Sequence, residues 1–446
     1  MPKFNFYLIL LAVLIYALTA NVTLRDRLLI STLHRIERNA YAEPSAKDLF
    51  EGAMSGMTEI LSNDYGDQYS SYIRSSRQSR YLDNTNNRYD GFGFSTRLHE
   101  KGEEKKLFIT FPFHDSPAYR AGLRSGDQVL QIDGETVGSS ADIAVIRLLK
   151  QQERHEFCFS VVPFGQTEPQ EFFLRPEKVH RESVEGDYRD SEGQPLFYLE
   201  SHPQIGYIRM TSFNDTTSQE FADALDSMKK SGASSFILDL RDNSGGNVWT
   251  SVLIAQMLLP NDSERDTIVS MRPRNGRERS YTLSKRSQPQ LCTLPMVVLI
   301  NGETASASEI LAAALQDHHR ATIVGTRSFG KGVIQGITSL PFQSGILQLT
   351  DSEFRRPSGA AIHRKPNAAD SDDWGIIPDK IHELTEKEES AVGEYRLLRS
   401  NVISAERSTV LEQFRQQIIA EQENESGLTG NAPYYDAQLD EAIKKL

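Results

Sequence analysis

One run of apolar residues does most to restrict how this chain can fold. Pro295–Ile300 reads PMVVLI, with no polar residue to turn toward water, and so fits a buried strand. Asn301–Thr304 supplies the turn residues that follow, and Glu309–Leu315 has helical composition. Ser306 therefore falls where a strand hands over to a helix. The first backbone N–H groups of a helix lack intrahelical partners, so the Ala307 N–H can hold an oxyanion formed when Ser306 attacks a carbonyl. The same residues, Ser306-Ala307-Ser308-Glu309, also satisfy S-x-x-E, under which Ser306 is an ordinary helix N-cap.

A nucleophilic serine requires a base, and His318, His319 and Lys331 are the nearby candidates. Lys331 is favoured. It stands between Gly330 and Gly332, whose missing side chains leave nothing to prop the amine out in water, and a lysine drawn into an apolar pocket loses its charged form. A neutral amine can take the serine proton. Gln335 follows four residues later, in a strand-like segment; a regular strand puts it on the same face as Lys331, where its amide can orient the amine. Gly325–Lys331 also matches G-x-x-x-x-G-K, but Gly332 replaces the Ser or Thr of a phosphate loop and a strand pattern follows instead of a helix.

Upstream, Ile205–Met210 reads as a strand, Ser218–Lys229 as a helix capped by Thr216 or Thr217, and Ser235–Leu240 as a buried strand, together a βαβ unit. Arg241–Gly246 is then a loop at the carboxyl end of a strand, where α/β sheets bind ligands. Asn275-Gly276 signals a hairpin.

FILDLRDNSGG, NGETASASEI and TRSFGKGVIQ, in that order, resemble the carboxyl-terminal processing peptidases, serine proteases with a Ser-Lys dyad and an inserted PDZ domain. The resemblance runs from about Ala46 to about Leu384. It implies Ser306 as nucleophile, Lys331 as general base, Gln335 as the residue that orients the lysine, and Ala307 with the pair Gly245-Gly246 as the oxyanion segments. Between Tyr89 and Pro163, YDGFGFSTR, HDSPAYRAGLRSGDQVLQIDGETV and SADIAVIRLLKQQ resemble a PDZ domain, with Gly91-Phe92-Gly93-Phe94 as the loop whose amides surround a peptide carboxylate. The expected fold is an α/β, mixed-sheet protease core with βαβ units, an inserted PDZ domain of partly open β-barrel type, and helical N- and C-terminal segments. Its parts are a signal peptide or anchor at 1–21, a helical segment at 22–86, the PDZ domain at 87–165, the core at 166–384 and a helical tail at 385–446.

The expected activity is that of a serine endopeptidase acting on carboxyl-terminal or exposed extended segments of proteins, with no metal or organic cofactor. The alternative is a non-catalytic peptide-binding relative of the same fold. A formal charge of −12 and the lack of a dense basic cluster argue against nucleic acid as a partner. Cys158 and Cys292 lie in apolar runs and read as buried thiols. Lys3 precedes the apolar Phe6–Ala20, the length of a signal h-region, so work outside the cytoplasm is expected, by cleavage after Ala20 or with a retained anchor. His363 and Asp379 read as turn or packing residues, since a Ser-Lys mechanism needs neither.

Overall fold

The computed structural model describes residues 23–101, 104–137, 156–260, 266–283, 291–402 and 436–446. The targeting segment, the SADIAVIRLLKQQ part of the PDZ pattern and residues 403–435 of the expected tail lie outside the described residues. Two compact units are present: one runs up to Gln78 and takes in Gln335–Thr350, and the other comprises Ser79–Ile334 and Asp351–Leu446.

The larger unit is built on a mixed sheet. Five of its strands run parallel in the spatial order His202–Met210, Ser235–Asp239, Met296–Ile300, Thr322–Gly325 and Lys380–Ile381. The PMVVLI run is thus the middle strand, which explains its lack of polar residues. Alternation assigns its two faces. Met296, Val298 and Ile300 join Phe236, Leu238 and Ile323 in a core shared with the helices Thr217–Lys230, Val248–Leu258 and Ala307–Asp317. Val297 and Leu299 point the other way, with Ile237 and Val324, into a second cluster closed by Leu439, Ala442, Ile443 and Leu446. The helix Ala437–Ile443 therefore covers the sheet face that the other helices leave open. Each large aliphatic side chain buried there contributes about 1.5–3 kcal/mol.

A separate antiparallel sheet carries the PDZ pattern. Its strands Phe94–Lys101, Glu104–Pro112, Gln128–Ile132, Phe157–Val162 and Gln170–Leu174 lie in that order, with Glu135–Thr136 paired to Gln128–Ile132. Phe92, Ile109, Leu123, Ile132, Phe157 and Phe159 fill its core. The sheet extends to Leu174, because Gln170–Leu174 pairs residue for residue with Phe157–Val161, with Leu174 buried and Phe172 packed against the core. The Asn275-Gly276 turn joins the antiparallel strands Thr267–Pro273 and Arg279–Thr282. Cys292 is buried and Cys158 half-buried, and both are free thiols.

The smaller unit holds the helices Leu24–Asn39 and Ala46–Tyr65, the second capped by the Ser45 hydroxyl, which accepts from Asp48 N–H. Its strand Ser71–Ile73 pairs antiparallel with Ile346–Gln348. Among the described residues no helix is long and apolar enough to cross a membrane.

Candidate active site

Three loops leave the carboxyl ends of three adjacent parallel strands: 240–246 after Ser235–Asp239, 301–306 after Met296–Ile300, and 326–332 after Thr322–Gly325. Because these strands are in register and unidirectional, their loops emerge side by side. They carry the glycine pair, Ser306 and Lys331.

Ser306 has φ 58° and ψ −116°, and is buried. An N-cap residue normally sits in the extended region, as Thr23, Ser45, Ser116, Asn247 and Thr385 do here. A non-glycine residue at positive φ costs of order 1–3 kcal/mol and persists where the surroundings hold it. Ser306 thus occupies a strained strand-to-helix elbow at the start of Ala307–Asp317.

Glu309 holds that elbow. It is fully buried, and its Oε2 accepts from the backbone N–H of Ser306 at 2.8 Å and of Lys331 at 2.9 Å. Its Oε1 accepts from Ser328 Oγ at 2.6 Å and from Gly330 N–H at 2.8 Å. One carboxylate oxygen therefore ties the serine and lysine backbones together across two loops. Burial pushes the Glu309 carboxyl up to about 7, against these four hydrogen bonds, which favour its ionised form. The S-x-x-E pattern includes Glu309, but capping alone gives no sign of its bonds to residues 328–331.

Lys331 is half-buried between glycines that packing requires. A Cβ on Gly330 would lie 2.8 Å from Arg364 Cβ and 2.9 Å from Trp374 Cε3, and one on Gly332 would lie 2.3 Å from the His363 backbone nitrogen. Burial lowers the lysine pKa below its ordinary value, while the nearby Glu309 carboxylate pulls it up. His318 is committed elsewhere, its Nε2 lying 2.8 Å from the Thr267 carbonyl oxygen. Asp379 is also structural, accepting from Ile323 N–H and from the Gln316 amide.

The glycine pair divides into two roles. Gly245 is buried against the elbow: a Cβ built on it would lie 2.9 Å from both Ala307 N and Ser306 Cβ. Its N–H donates to Asn243 Oδ1 at 2.9 Å. Gly246 is exposed, with φ 138°, and a Cβ there would come within 2.0 Å of the Phe213 carbonyl oxygen. The Gly245 amide is thus engaged internally.

Gln335 belongs to the smaller unit. Its Nε2 donates to Thr350 Oγ1 at 3.2 Å, and that hydroxyl donates to Asp67 Oδ1 at 3.0 Å. The strand Val333–Ser339 begins two residues after Lys331, so strand periodicity does not relate the two side chains. In the PDZ loop, the Phe92 side chain is buried and stacks on Phe94 at 6.1 Å between ring centroids. Phe92 fills the core of that domain and Phe94 packs against it, half-buried.

A model of peptidase family S41 matches residues 204–381, and a PDZ domain model matches residues 114–159. A carboxyl-terminal-processing protease of Synechocystis sp. is 36% identical over 293 residues, which span 65% of this chain and 62% of that protein. Another carboxyl-terminal-processing protease, from Picosynechococcus sp., is 32% identical over 71% of this chain and 69% of its own length. A proposed S41 protease of Bacteroides fragilis aligns in structure over 82% of this chain and 90% of its own, with a TM-score of 0.52 at 16% identity, a likeness of fold.

Proposed function

The chain belongs to peptidase family S41, as a relative of the carboxyl-terminal-processing proteases, and from that membership we propose that it hydrolyses peptide bonds through Ser306 and Lys331. The observation that carries this reading is the Glu309 carboxylate, whose one oxygen accepts from the backbone N–H of both residues. Neutral Lys331 takes the proton from Ser306 Oγ, which then attacks the substrate carbonyl. The developing oxyanion meets the N–H groups of Ala307 and Gly246. The Lys331 ammonium then protonates the departing amine, leaving an acyl ester on Ser306. A water molecule deprotonated by Lys331 hydrolyses that ester. Gln335 is proposed, from the family resemblance, to orient the lysine.

The direct test is cleavage of an unfolded protein by the purified full chain in EDTA, beside Ser306→Ala. The unaltered chain is expected to cleave and the variant to fall by at least about a thousandfold. Equal cleavage by both would exclude Ser306 as the nucleophile.

The PDZ domain points to peptide binding. The proposal is that Gly91–Phe94 receives a free terminal carboxylate on its backbone amides and so selects substrates by their carboxyl ends. Losing a charge-assisted hydrogen bond costs about 1.5–3 kcal/mol, so amidating the terminus of a bound peptide should weaken it by roughly tenfold or more. Calorimetric titration of the Ser306→Ala chain with paired acid and amide peptides measures this, and equal affinities would remove the carboxylate from the account.

Export is proposed on the apolar run Phe6–Ala20, with residues 1–21 as a cleaved signal peptide or a retained anchor. Mass spectrometry of the N-terminus of exported chain distinguishes these two, and recovery of the whole protein in the cytosol would refute export.

A further inference from the structure

Arg241, at the head of the loop that ends in the glycine pair, is among the largest fully buried side chains of the protein. A buried guanidinium needs every N–H met. Its Nε donates to Asp239 Oδ1 at 3.0 Å and its Nη2 to Asp239 Oδ2 at 2.7 Å. The remaining acceptors come from the other end of the chain. Asp436 takes Nη1 and Nη2 on its two oxygens, each at 2.8 Å, and Gln438 Oε1 takes Nη1 at 3.1 Å. Asp436 also caps the helix Ala437–Ile443 through Leu439 N–H at 3.0 Å, and Gln438 donates to the His382 carbonyl at 2.9 Å. The segment Asp436–Leu446 is thereby tied to the loop, with Leu439, Ala442, Ile443 and Leu446 seated on the sheet.

From Arg241 a short chain of contacts leads to Ser306. Its neighbour Asp242 has φ 62° and exchanges two hydrogen bonds with Asn301, donating its N–H at 2.9 Å and accepting from Nδ2 at 2.7 Å. Arg396, from the helix Glu386–Asn401, holds the other Asp242 oxygen. Asn243 follows, accepting from Gly245 N–H on its side chain and from Ser308 Oγ on its carbonyl at 2.8 Å. Thr304, two residues before the serine, donates its hydroxyl to the Leu240 carbonyl at 2.9 Å. Every link from Arg241 to the elbow is a buried or part-buried hydrogen bond or a peptide bond.

We propose that the carboxyl-terminal segment Asp436–Leu446 is a positioning element of the hydrolytic site, with Asp436 and Gln438 holding Arg241 so that the loop 240–246 keeps Gly245 packed against the Ser306 elbow. The inference rests on the proposed peptidase reading. It adds that the site is incomplete without a segment that begins 195 residues after Arg241. Burial opposes the charges of Arg241 and Asp436, but their mutual attraction prevails: the carboxyl is held below the usual carboxylate range and the guanidinium above its ordinary value.

The test compares the unaltered full chain with Asp436→Asn, Gln438→Ala and the double variant Asp436→Asn/Gln438→Glu, which returns a carboxylate to Arg241 from the neighbouring position. Each is assayed below its own melting temperature, on a peptide and on a small activated ester that makes no use of the PDZ domain. Asp436→Asn is expected to lower kcat on both substrates about tenfold or more, with KM for the peptide within about twofold. Gln438→Ala should do so more weakly, and the double variant should recover most of the loss. A change in KM alone, or unchanged kcat in folded Asp436→Asn, would overturn the inference. If Asp436→Asn fails to fold, unchanged kcat in Gln438→Ala would overturn it equally. Absence of Ser306-dependent hydrolysis in the unaltered chain would instead remove the peptidase reading, and this inference with it.

Discussion

Replacing Lys331 with alanine should reduce kcat/KM on any peptide by at least about a thousandfold, and replacing it with arginine should do no better. Arginine keeps positive charge and approximate length, but its guanidinium does not deprotonate in a protein, so it cannot accept the serine proton. The two variants thus separate a base from an electrostatic anchor, since an anchor would survive the arginine. The pH profile gives the sign independently. A group that acts as base must be neutral, and burial lowers the Lys331 pKa from its ordinary value. Activity should therefore rise with pH and level off, with a midpoint below the roughly 10.4 of a free lysine. A profile that falls over the same range would contradict a lysine base.

The second large effect is expected at Glu309. Replacing its carboxylate with an amide leaves one acceptor oxygen where two now serve four donors. Whichever way the new amide turned, its hydrogens would confront at least one backbone N–H that cannot accept them. Each buried donor left unmet costs about 1–3 kcal/mol, so Glu309→Gln should destabilise the larger unit by about 3 kcal/mol. Activity should fall by about a hundredfold, because the elbow and the lysine loop lose their common tie. Stability also acquires a pH signature. The folded carboxyl titrates at about 7 against 4.5 for a free glutamate, so between these values the folded state holds a proton that the unfolded state has lost. This group's contribution to stability therefore falls as pH rises through that window, by about 3 kcal/mol, and is level above it. Urea unfolding at pH 5 and pH 8 should show the loss in the unaltered chain and not in Glu309→Gln. If the variant keeps full kcat, Glu309 does not position the site.

How much of this was legible in the sequence depends on how local each feature is. PMVVLI read correctly as a buried strand because a middle parallel strand faces apolar neighbours on both sides, and that demand appears in every residue. Ser306 and Lys331 stood out because the strand-to-helix turn and the flanking glycines are contiguous with them. The strand Gln170–Leu174 fell beyond the expected PDZ boundary at 165, since an edge strand satisfies its backbone on one side and tolerates exposed residues such as Gln170 and Glu171. Glu309 was visible only as half of a capping pattern; its second role depends on a loop some twenty residues later folding back over it. Asp436 and Gln438 carried no signal at all. A buried ion pair between distant segments leaves no periodicity, and its partners look like ordinary residues of a charged tail. The reason for the positive φ at Ser306 is likewise tertiary.

The central claim is that Ser306 is a nucleophile activated by Lys331, and the most direct measurement is the rate at which a fluorophosphonate labels the full chain, with the modified residue mapped by mass spectrometry across a range of pH. The account predicts a single label on Ser306, a rate that rises with pH as the lysine loses its proton, and a rate at least about a hundredfold lower in Lys331→Ala. Labelling of a different residue in a chain that cleaves protein, or equal labelling of Ser306 with and without Lys331, would contradict it.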